Sequence, residues 1–144
     1  MTRALAVSTG VLGLLVAVVP QVVLPVCSAS IETKAGTLIP MKCFWTARAE
    51  LAVGALIVLA SILLFLSRSR SATLSLCCIL TGLGIVAVLL PTYLIGVCPG
   101  PTMPCHMGTL PGLMLLGSLV TVAGLAGMVL ASRRESQAVT WPAA

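Results

Sequence analysis

The chain contains no aspartate and only three glutamates, Glu32, Glu50 and Glu135, among 144 residues. Enzymes that work with a pair of carboxylates are nearly excluded by that scarcity. Charged residues of all kinds make up 8% and aromatic residues 3%. A soluble domain carries about a quarter to a third charged residues on its surface, so this chain is not one. The eight basic residues and net charge of +5 do not form a nucleic-acid patch either. They are scattered and have no aromatic side chains interleaved with them.

What fills the chain instead is apolar. Hydrophobic residues make up 59%, against about 45–50% in ordinary soluble domains. A bilayer core about 30 Å thick takes roughly 20 apolar residues as helix. Four stretches qualify, at about residues 4–26, 47–66, 72–97 and 110–131. Each is continuous rather than alternating, which favours helices over a barrel. The rest is a loop at 27–45, the link Ser67-Arg68-Ser69-Arg70-Ser71, a loop at 98–109 and a tail from Ser132. None is long enough for a core of its own. Residues 1–144 therefore read as a single integral membrane domain. Arg3 and the small residues Ser28-Ala29-Ser30 resemble a signal peptide, but the first apolar stretch is too long for one, and it is expected to be retained.

Lys and Arg near span ends set orientation. Arg3, Arg68, Arg70, Arg133 and Arg134 fall on one side, Lys34, Lys42 and Arg48 on the other. The first group marks the cytoplasm, so both termini are expected there and both cysteine-bearing loops outside. Glu50 and Arg48 are expected at the outer start of the second span. The helix dipole favours the acid there, and the arginine can snorkel to the surface. Trp45 and Tyr93 suit the interfacial belt.

The two halves of the chain match. Pro20 is followed after five residues by Val26-Cys27, and Pro91 after five residues by Val97-Cys98. Met41-Lys-Cys43 then precedes the second span, and Met103-Pro-Cys105 the fourth. Thr46 and Thr109 stand where a helix N-cap belongs. Each unit reads helix, Cys, loop, Met-x-Cys, helix, with a longer loop in the first copy. The expected fold is an all-α membrane protein, a four-transmembrane-helix bundle made of two repeated helical hairpins. Two spans per unit give both copies one orientation, related by an axis along the membrane normal. Pro20 and Pro91 each remove a helical hydrogen bond and either bend the helix or end it. Small residues four apart, Ala6 with Gly10 and Ala123 with Gly127, allow close helix approach.

Four of the six cysteines, Cys27, Cys43, Cys98 and Cys105, are expected at one membrane face. They admit three readings. In an oxidising compartment they form structural disulfides; of the three pairings, the repeat favours Cys27 with Cys43 and Cys98 with Cys105. Alternatively they exchange disulfides with a soluble thiol protein, in a layout like that of the DsbB-type and vitamin K epoxide reductase families. Against this, neither loop has the Cys-x-x-Cys spacing that lowers a thiol pKa. The third reading is a soft metal such as Cu(I), with Met41, Met103, His106 and Met107 as further donors. Cys77 and Cys78 lie inside the third span and diverge by about 100°, so they are expected to act as small apolar residues. No catalytic residue and no cofactor is expected.

Residues 41–50 (MKCFWTARAE) and 95–109 (IGVCPGPTMPCHMGT) resemble the two signature stretches of a small bacterial four-span membrane family catalogued as domain of unknown function 4418. The matching positions are Met41, Cys43, Trp45, Thr46, Glu50, Cys98, Cys105, His106 and Thr109. The resemblance implies a bacterial inner-membrane location and assigns no activity to any residue. It also implies an accessory role beside an export-type transporter. The bilayer itself, such a transporter complex, or further copies of the chain are the expected partners.

Overall fold

The computed structural model describes residues 2–23, 30–32, 38–40, 42–97, 100 and 105–139. Four long helices dominate: α1 Thr2–Val18, α2 Lys42–Leu66, α3 Arg70–Leu89 and α4 Leu110–Val139. Among the described residues, four helical segments are long and apolar enough to cross a membrane. The chain is a multi-pass integral membrane protein. Its helices form an all-α four-helix bundle. α1 packs mainly on α2 and α3 mainly on α4, and the α2–α3 and α1–α4 contacts close the ring. Large apolar side chains such as Leu14, Leu56, Leu63, Leu115 and Val122 are left exposed around the outside, as lipid requires.

Several boundaries differ from the expected ones. α2 starts at Lys42, five residues before the expected position, just after Pro40. α4 runs on to Val139 through what was expected to be a tail. The stretch after Ser132 holds good helix formers and no breaker before Val139. The first loop contains a two-stranded antiparallel ribbon, β1 (Ser30–Glu32) and β2 (Leu38–Pro40), paired Ser30 to Pro40 and Glu32 to Leu38.

Each expected proline distortion takes the same form. Pro20 sits in a π-helical turn at Val19–Val23, and Pro91 in one at Leu90–Leu94. A wider turn is one way for a helix to absorb a missing N–H and a crowding ring. Both prolines are fully buried. After the second turn the N–H groups of Ile95 and Gly96 both donate to Leu90 O (3.1 and 3.2 Å). Gly96 has φ +79°, the left-handed conformation that ends helices and favours glycine.

The buried positions of one hairpin recur in the other at an offset that is constant within each pair of corresponding helices. In α1 and α3 and the π turns that follow them the buried pairs are Thr9 with Leu80, Gly13 with Gly84, Val16 with Ala87, and Pro20 with Pro91. In α2 and α4 they are Thr46 with Thr109, Glu50 with Leu113, Gly54 with Gly117, and Ile57 with Val120. The helices cross most closely at the glycines. A Cβ on Gly54 would lie 2.7 Å from Ala17 N and 2.8 Å from Gly13 O. One on Gly84 would lie 2.5 Å from Thr121 Oγ1 and 2.7 Å from Thr121 N. Without a Cβ the backbones approach, which is the usual basis of helix association in lipid. Gly10, marked from the sequence for this role, has looser surroundings: its Cβ would meet only Ser61 Cβ, at 3.5 Å.

Candidate functional site

Polar and sulfur-bearing side chains gather inside one end of the bundle. On α2, Cys43, Thr46 and Glu50 are spaced three and four residues apart, so they share one helix face. All three are buried. The Thr46 hydroxyl donates to Gly96 O at 2.8 Å, tying the start of the first hairpin's second helix to the end of the other hairpin's first. Gln21, in the π turn after α1, donates from Nε2 to Ala47 O at 3.0 Å. These two bonds attach the proline turns region of both hairpins to the first two turns of α2.

α4 enters the same end through a third π turn, Cys105–Thr109, in which Cys105 and Thr109 are buried. Cys43 and Thr46 are three residues apart in sequence, Cys105 and Thr109 four. The wider turn takes up the additional residue, and both cysteines keep full burial. Among the described residues Cys77 and Cys78 are free thiols. Cys27 and Cys98, the expected partners of Cys43 and Cys105, lie outside the described residues, as do Met41 and Met103. His106 and Met107 are exposed, with Met107 at 72%, while their neighbour Cys105 points inward. Among the described residues no three of His, Cys, Asp or Glu converge as metal ligands. Cys77 is buried against Gly127 and Cys78 is exposed, so these two do diverge on the helix.

An aromatic group marks the outside of this end. Phe44 and Trp45 meet edge to face at 5.8 Å, and the Arg48 guanidinium lies 5.3 Å from the Phe44 ring centre. Trp45, near the start of one apolar segment, and Tyr93, near the end of another, are both exposed, as residues of an aromatic belt would be.

Glu50 departs from the expectation for it. It is not in the first turn of α2, which holds no acid, because the helix begins at Lys42. Instead it lies two turns inside, 0% exposed. Among the described residues neither carboxyl oxygen has a hydrogen-bond partner. A carboxyl group can accept several hydrogen bonds or, protonated, donate one, and leaving that capacity unused in a dry interior is costly. An ionisable residue held inside a membrane bundle is by default a candidate functional residue. The signal was present in the match between the two Met-x-Cys stretches. Thr46 aligns with Thr109, and four residues further Glu50 aligns with Leu113, a fully buried core position.

No curated protein and no solved structure matches the chain. One family model does, over residues 9–130, and its description is a domain of unknown function, DUF4418. That match covers both hairpins with both Met-x-Cys stretches, so the chain belongs to the DUF4418 family.

Proposed function

We propose that this protein is a non-enzymatic accessory or scaffold subunit of the membrane, with disulfide-braced loops on the extracytoplasmic side. Its two hairpins are copies of one unit standing side by side, and the whole chain acts as one membrane domain. Both termini and the Arg68–Arg70 link face the cytoplasm, following the basic-residue bias. In the bacterial inner membrane, the location that the family resemblance implies, its partner would be a larger complex such as an export-type transporter.

One observation carries this reading: Cys43 and Cys105 occupy corresponding, fully buried positions at the starts of α2 and α4. Disulfide exchange needs a thiolate to approach a sulfur along an open path. Sulfur atoms packed inside helix ends suit bonds that stay made. Pairing Cys43 with Cys27 and Cys105 with Cys98 would tie each loop to the helix that follows it, at about 2–4 kcal/mol of stability per bond. His106 and Met107 face outward while Cys105 is buried, which favours the brace over a soft-metal site.

The test is the thiol state of protein from native membranes. Unfolded under denaturant without reductant, it should take maleimide only at Cys77 and Cys78, and at all six cysteines after reduction. Six reactive thiols before reduction would refute the brace. Ready exchange in a mild glutathione buffer would point to a redox enzyme, and reduced cysteines with stoichiometric copper to a copper protein. The accessory role predicts co-purification with a larger membrane complex under mild solubilisation. A chain that always emerges alone would refute it.

A further inference from the structure

The end of the bundle opposite Cys43 and Cys105 holds a cavity of about 270 Å³. Its polar wall is the turn between α2 and α3: Ser67, Arg68, Arg70 and Thr73 line it. Its floor is apolar and comes from all four helices, with Leu5, Leu64, Cys77 and Leu130 among the lining side chains. No acidic residue is among the described residues that line it.

The two arginines differ in their attachment. Arg70 reaches across to α4 and donates from Nη2 to Ala131 O at 2.7 Å and to Ser132 O at 3.3 Å. The cationic wall is therefore fixed to the bundle. Arg68 is exposed and has no hydrogen bond or ion pair among the described residues. Beside them begins α3, capped by the Ser69 hydroxyl on Ala72 N at 3.3 Å. Its 20 residues point the positive end of the helix dipole at the same place. The cavity thus joins a cationic rim to a greasy floor at the depth where the apolar segments Lys42–Leu66 and Arg70–Leu94 end, which is the headgroup level of a bilayer.

We propose that this cavity is a binding site for the phosphodiester headgroup of an anionic glycerophospholipid. The phosphate meets Arg68 and Arg70, and the first carbons of the acyl chains lie against Leu5 and Leu130. A charged rim alone would suit any phosphate. The apolar floor and the position at the membrane boundary select one that carries lipid chains.

The experiment is native mass spectrometry of the full chain released from nanodiscs of phosphatidylcholine containing a minor fraction of phosphatidylglycerol. One phosphatidylglycerol per chain should survive release, well above its share of the mixture. Arg68→Gln should lower that retention about fivefold, the effect of removing one basic residue from an anionic lipid contact. Arg133→Gln changes an exposed arginine at the same end that does not line the cavity, and should lower it less than twofold. Equal losses in the two variants would mean diffuse surface attraction and would overturn the site, as would equal retention of the two lipids. Inorganic phosphate displacing phosphatidylglycerol at millimolar concentration would overturn the lipid assignment in favour of a free anion. Because Arg70 also holds α4, Arg70→Gln is read only if its thermal unfolding matches the parent; unchanged retention in that variant would likewise overturn the proposal.

Discussion

Replacing Glu50 by leucine should make the protein more stable. Glu50 is 0% exposed and both its carboxyl oxygens lack a partner among the described residues. A buried polar group without a partner costs about 1–3 kcal/mol. Leucine has a similar length, removes that cost and adds apolar contact. The second hairpin already shows the substitution, since Leu113 fills the corresponding position with full burial. A gain of about 2 kcal/mol, at about 2–4 °C per kcal/mol for a chain of this size, raises Tm by about 4–8 °C. The assay is thermal unfolding in detergent micelles, followed by tryptophan fluorescence and circular dichroism. Glu50→Gln is the control: it keeps the shape and a buried polar end, so its Tm should stay close to the parent. The reasoning is refuted if Glu50→Leu lowers Tm while Glu50→Gln does not, because the carboxyl position would then be hydrogen-bonded in the protein. A stabilised Glu50→Leu that loses the co-purification expected of an accessory subunit would show stability traded for function at that site.

Two further substitutions probe the helix contacts. Gly54→Ala and Gly84→Ala each place a methyl group within 2.7 Å of backbone nitrogen on the facing helix, so each should cost about 1–3 kcal/mol by forcing the pair apart; Gly82→Ala, with nothing within 4 Å, should be neutral or slightly stabilising in the same unfolding assay. Ser61 donates to Thr9 Oγ1 at 3.0 Å between α1 and α2, and a double-mutant cycle of Thr9→Val and Ser61→Ala should return a coupling of about 0.6 kcal/mol, the average for such bonds between membrane helices. A coupling of zero would mean the two hydroxyls serve only their own helices, through Leu5 O and Ile57 O.

The elements legible in the sequence are those that the bilayer judges one segment at a time. Every spanning stretch must be long, apolar and internally hydrogen-bonded, so the four helices follow from runs such as residues 47–66, and Pro20 and Pro91 announce where α1 and α3 lose their regular geometry. The matching Met-x-Cys stretches pair Thr46 with Thr109, and the burial pattern repeats along with them. Glu50 lies deeper in α2 than the onset of apolar residues suggests, because Lys42 and Cys43 form the first turn although they look like loop.

Which side of each helix faces inward was decided only by the tertiary structure. In water a helix shows its inner face by an apolar stripe, but lipid is as apolar as a protein core, and that contrast vanishes. Leu56 faces outward and Ile57 inward, with nothing in their chemistry to separate them. The close crossings at Gly54 and Gly84, the bond from Thr46 to Gly96 O, and the joining of Arg68 and Arg70 to Leu5 and Leu130 around one cavity all depend on shape and on distant parts of the chain meeting. Hydropathy and length are local properties of a segment, whereas complementarity between helices exists only once they have packed.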